Sequence, residues 1–271
     1  MFLDHRWVLF GAVCSDLLQD TDHPHRPYLE IVDPINPTYT TRLELDKSAM
    51  KRARVYSTVD ISVGSGAGSE GSFLEHNGAP FTSDVSRGII SADLYCYHPD
   101  ANEDPDTPWY ESYVFILKIE DILRRVPSLS NPEQRFLEWK DLSPSGTMFY
   151  YASANAADQY RIFSRHSYVS GSRYVSPIRP LDSQNPMGPR CFFVYDFNPY
   201  RETPVPLSGA GLEDPDPETG YSKCASEITR EVVGGLRCWR MRFDLPAAGE
   251  GVGKCNVALT DGGIILFEVR T

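Results

Sequence analysis

Residues Cys191–Arg201 read CFFVYDFNPYR. Five β-forming residues run into Asp196, and Phe197-Asn198-Pro199 follow at once. The same phrase stands earlier, at Tyr28–Pro37, YLEIVDPINP, where an apolar run ends on Asp33 and Ile35-Asn36-Pro37 follow. A short apolar run bounded by turn residues reads as a strand. Asp after such a run accepts hydrogen bonds from backbone N–H groups of the turn, and Pro stops the ladder from continuing. The two phrases therefore mark the outgoing turn of one kind of antiparallel unit.

Other strands follow by the same reasoning. Trp7–Cys14, Leu29–Val32, Thr40–Leu45, Arg54–Val63, Gly88–Tyr97 and Tyr113–Ile119 carry alternating or continuous apolar runs, as do Met148–Ala152, Tyr160–Phe163, Arg173–Ile178 and Phe192–Tyr195. Near the C-terminus, Arg237–Phe243, Cys255–Leu259 and Ile264–Val269 complete the set. The last two flank Thr260-Asp261-Gly262-Gly263, whose glycines supply the positive φ of a tight hairpin turn. One short helix is expected over residues 120–126, EDILRRV. Its acids come first and Arg124-Arg125 last, which suits the helix dipole, and Pro127 ends it.

Strands at about ten-residue spacing, broken by 20 Gly and 21 Pro, predict an all-β fold. Asp33 and Asp196 are four steps of about 41 residues apart, close to the length of a propeller blade. A third strand, YVFILKIED, lies midway. The expected architecture is a single β-propeller-like domain over residues 1–271, built from antiparallel repeats. Loops such as residues 64–86 leave room for four or five regular blades. The ring is expected to be incomplete, with the strands nearest the two termini failing to pair and leaving open edges.

Composition narrows the partners. The chain carries a net charge of −11, which argues against nucleic acid, whose binding rests on phosphate neutralisation, and against an anionic membrane surface. No apolar run approaches the ~20 residues of a membrane span, and Asp4, His5 and Arg6 interrupt the segment where a secretory signal would build up. The six cysteines are widely spaced with no C-x-x-C pair, so they are expected as reduced thiols in the cytoplasm or nucleus.

No cofactor or metal motif stands out. GSGAGSEG at 64–71 lacks the Lys-Ser/Thr of a phosphate-binding loop. His23 and His25 lack a third ligand, and Cys96 with His98 sits at a strand end running into a turn. The suggestive segments are two acidic loops, NEDPDTP at 102–108 and EDPDPETG at 213–220. Asp104, Asp106, Asp214, Asp216 and Glu218 are candidate partner-binding carboxylates, with Trp109 and Tyr110 as an aromatic platform beside them.

Several phrases resemble, in order, the C-terminal propeller-like region of basidiomycete F-box-type proteins. They are FLEWKDL (Phe136–Leu142), GSRYV (Gly171–Val175), YDFNPYR (Tyr195–Arg201), ITREVV (Ile228–Val233) and the closing CNVALTDGGIILFEV. The resemblance implies a non-catalytic protein-binding platform, the part of a ubiquitin ligase that recognises its protein client. The family's F-box docks a ligase adaptor; no such helical segment precedes Trp7, so the chain is expected to be a fragment, an incomplete gene model or a paralogue that lost its F-box. Two other functions fit the acidic and aromatic loops: a carbohydrate-binding propeller, and a hydrolase or cyclase using the loop carboxylates.

Overall fold

The computed structural model describes residues 8–13, 27–36, 40–45, 55–63, 88–97, 110–125, 136–138, 146–153, 169–181, 185, 188–198, 225–245, 254–259 and 264–269. Most of them are strand, as the alternation requires. The fold is all-β, with one short helix among the described residues.

The first sheet has the order β1-β2-β3-β7, from Val8–Val13, Pro27–Val32, Thr40–Glu44 and Phe136–Glu138. β1, β2 and β3 form an antiparallel meander, whereas β7 joins β3 in parallel, Leu43 opposite Leu137. The second sheet runs β4-β5-β6-β8, all antiparallel, from Val55–Val63, Ile89–Tyr97, Tyr110–Lys118 and Gly146–Ser153.

The third sheet is the largest. It has the order β13-β14-β12-β10-β9, from Glu227–Val233, Leu236–Leu245, Arg190–Asp196, Arg173–Val175 and Val169–Ser170, and β11 (Arg179–Pro180) adds to β12. β15 (Lys254–Leu259) and β16 (Ile264–Val269) make the expected C-terminal hairpin, Leu259 opposite Ile264. The strands nearest the termini, β1 and β16, lie in different sheets, and no sheet closes on itself among the described residues.

Burial explains which strands are central. β12 is buried along nearly its whole length, so both of its faces are packed and its run reads as continuously apolar. The core gathers Ile89, Val114 and Ile116 of the second sheet with Tyr174, Val175, Phe192, Val194, Met241 and Phe243 of the third, and Val257 and Leu259 of the hairpin. Phe192 and Phe243 stack at 5.0 Å. Each such side chain contributes about 1.5–3 kcal/mol on leaving water, against about 0–1 for an exposed ion pair, so packing decides the fold.

The helix α1 spans Ile119–Arg125 and follows β6 directly. Ile119 and Ile122 are buried, and Arg124 pairs with Glu120 and Asp121 on the solvent side. The strand midway between the two Asp-centred turns therefore runs straight into the helix expected over residues 120–126.

The two Asp-centred turns have the expected local chemistry. Asp33 is 2% exposed, and its Oδ1 accepts the N–H of Ile35 and of Asn36 at 2.9 and 3.2 Å. Asp196 is 1% exposed, and its Oδ1 accepts the N–H of Asn198 at 3.0 Å. Their exits differ. After Asp33 the chain returns as β3 beside β2, whereas after Asp196 the next described strand, β13, lies beyond β14. The expected strand at Tyr160–Phe163 falls outside the described residues.

Candidate functional site

Asp196 does more than cap a turn. Ser172 donates its hydroxyl to Oδ1 at 2.8 Å, and the Arg173 guanidinium reaches Oδ2 at 3.5 Å. The N–H of Phe197 donates to the Ser172 carbonyl at 2.9 Å, and that of Ile89 to the Gly171 carbonyl at 3.0 Å. Two phrases distant in sequence, Gly171-Ser172-Arg173 and Asp196-Phe197-Asn198, thus meet in one joint that also holds the second sheet. Its charges are consumed internally, so it supports the fold and offers nothing to a ligand.

The outward-looking chemistry lies on β13 and β14. Gly234 and Gly235 have φ of 56° and 93°, and this two-residue turn sets the register Val233 opposite Leu236. Positive φ at both positions is the hairpin turn whose twist matches the strands. Strand alternation then divides the side chains between two faces.

One face carries Glu227, Thr229 and Glu231 of β13, Arg240 and Arg242 of β14, and Phe193 and Tyr195 of β12. Here charge is matched. Arg240 reaches Glu231 at 2.9 Å and Glu227 at 3.8 Å, while Arg242 pairs with Asp244 at 2.8 Å, a bond that raises the guanidinium's affinity for its proton. The Phe193 ring has the guanidinium groups of Arg179 and Arg240 at 4.7 and 5.1 Å. Behind them Tyr195 packs on Phe149 at 4.8 Å, and burial pushes its hydroxyl up to about 12. Burial, with Glu231 nearby, pushes the Cys238 thiol up to about 12 as well. Both stay protonated and chemically quiet at neutral pH.

The other face is unlike it. Ile228 and Val232 are 49% and 66% exposed although both are β-branched and apolar. Between them Arg230 lies 5.8 Å from the Trp239 ring centroid, and Arg237 stands opposite Val232. Among the described residues, no acidic side chain pairs with Arg230 or Arg237. The result is an apolar strip with two cations along a strand whose outer edge meets no described strand.

Comparison with known protein families, with curated proteins and with solved structures finds no match to this chain. The candidate site therefore rests on its own geometry.

Of the site residues expected from sequence, Tyr110 alone falls among the described residues. Asp104, Asp106, Trp109, Asp214, Asp216 and Glu218 fall outside the described residues. Tyr110 opens β6, its backbone opposite Tyr97 and Ser153. Cys96 lies near the end of β5, opposite Tyr56 and Glu111, while His98 is outside the described residues. No group of three His, Cys, Asp or Glu side chains suited to a metal occurs among the described residues, and no described helix is long and apolar enough to cross a membrane. Sequence reasoning missed β13 as a strand. Its signal was present: Gly234-Gly235 separates two β-prone runs, as Gly262-Gly263 does in the last hairpin.

Proposed function

We propose that the chain is a non-catalytic protein-binding platform, its sheets arranged as blades of an open, propeller-like array. The observation that carries this reading is the exposed apolar strip of Ile228 and Val232 beside Arg230 and Arg237. Apolar surface flanked by arginine is the composition of protein-recognition patches. The buried carboxylates support it too, since Asp33 and Asp196 are engaged in holding turns. By the resemblance of its second half, the platform serves as the client-recognition region of an F-box-type ubiquitin ligase or of a relative without the F-box.

Affinity purification of the tagged chain followed by mass spectrometry tests the reading. A co-purifying protein client or ubiquitin-ligase adaptor is the expected outcome. Binding on a glycan array with no protein client would replace it with the carbohydrate-binding alternative.

A further inference from the structure

The N–H and C=O groups of β13 divide between two sides. In a two-residue hairpin the pair closing the turn, here Val233 and Leu236, exchanges ladder bonds. Thr229 and Glu231 then turn their backbone toward β14, while Ile228, Arg230 and Val232 turn theirs to the outer edge. These same three residues place their side chains on the exposed strip. Edge N–H and C=O groups are a template for another strand, and natural proteins usually blunt such an edge.

We infer that the outer edge of β13 is a strand-addition site for an extended peptide segment of a partner protein, with an acidic residue opposite Arg230 between two apolar ones opposite Ile228 and Val232. The inference rests on the platform reading and names its partner's chemistry. Main-chain bonds supply affinity in this mode, and alternate side chains supply specificity. Charge chooses the occupant. The acids of β13, Glu227 and Glu231, face the other way and are held by Arg240, so the strip presents only Arg230 and Arg237. A basic patch on a chain of net charge −11 selects an acidic segment locally. A second copy fits poorly. Antiparallel pairing of β13 with itself, in the register that overlaps all three outward residues, sets Arg230 against its own counterpart, and like charges directly opposite are destabilising.

The test uses the purified full chain and two fluorescein-labelled peptides, TVTETVT and TVTKTVT, followed by fluorescence anisotropy at low salt. The glutamate peptide is expected to bind about tenfold more tightly than the lysine one, and Arg230→Glu to reverse that order. Amide hydrogen exchange should slow at Ile228, Arg230 and Val232 when the glutamate peptide is added. Equal binding of the two peptides, or protection elsewhere, would overturn the proposal. So would slow exchange at these three amides in the free monomer, which would mean that the chain covers its own edge, or light scattering that shows a dimer dispersed by Arg230→Glu. A client that wild-type and Arg230→Glu protein capture equally well would keep the platform reading and remove this edge from it.

Discussion

Ser172 donates its hydroxyl to the Asp196 carboxylate at 2.8 Å, across 24 residues of chain. The bond joins a turn between β9 and β10 to the turn that leaves β12. The same carboxylate faces Arg173, which is only 9% exposed.

Replacing Asp196 by Ala leaves a buried guanidinium and the Asn198 N–H without their partner. The expected loss is about 3 kcal/mol, since breaking a buried pair strands the remaining charge. Asp33→Ala removes a turn cap and is expected to cost about 1 kcal/mol. Urea unfolding of the two variants checks the ranking; equal losses would deny Asp196 its second role.

Two glycines separate backbone strain from crowding. Gly171 and Gly234 share φ of 56°, but a Cβ at Gly171 meets nothing within 4 Å, whereas one at Gly234 would lie 2.8 Å from Thr147 Cβ and 3.0 Å from its Cα. Gly171→Ala is expected to cost about 1 kcal/mol, the strain of the left-handed region. Gly234→Ala should cost more, because β8 must move as well. Thermal unfolding of both variants reads the difference directly.

Alkaline pH should weaken the fold through Tyr195 and Cys238. Their protonated forms are favoured in the folded state, with pKa values pushed up to about 12 from 10.0 and 9.0. These groups add almost no pH dependence below about pH 8, and the effect is pronounced above the unfolded thiol's 9.0. As pH rises from 9 to 12 the unfolded chain releases their protons first, so stability falls. Tyr195→Phe should flatten the decline above pH 10, as followed by urea midpoints at successive pH values; an unchanged slope would contradict the assignment.

Cys191 and Cys238 are free and buried. Both should react with a thiol reagent only after denaturation, a difference that spectrophotometric titration with and without guanidinium measures. Rapid reaction of either in the native protein would show that the third sheet opens readily.

The strands were legible wherever apolar runs were bounded by turn residues. β12 and the final hairpin stand within two residues of their expected bounds, because burial on both faces or a Gly-Gly turn leaves a strong local mark. β7, β9 and β11 span only two or three residues, too short for any period to register. β13 was missed as a strand because three of its seven residues are charged, an edge pattern that reads as loop. The order β12-β14-β13 was not legible, since strand pairing is set by packing between segments that no local pattern names. The exposed strip shared that fate: its arginines stand out only once the acids are seen to face away.

The parallel pairing of β3 with β7 has a consequence for how the chain is assembled. β4, β5 and β6 all lie, in sequence, between the two partners, so the first sheet cannot be finished until the ribosome has delivered Phe136–Glu138. The core of one sheet is nested inside the closure of another. Loop closure over such a span is a slow step, paid in chain entropy before any contact rewards it. The β1-β2-β3 meander must therefore wait with one flank bare during synthesis, and a chain terminated before Phe136 would retain that flank permanently.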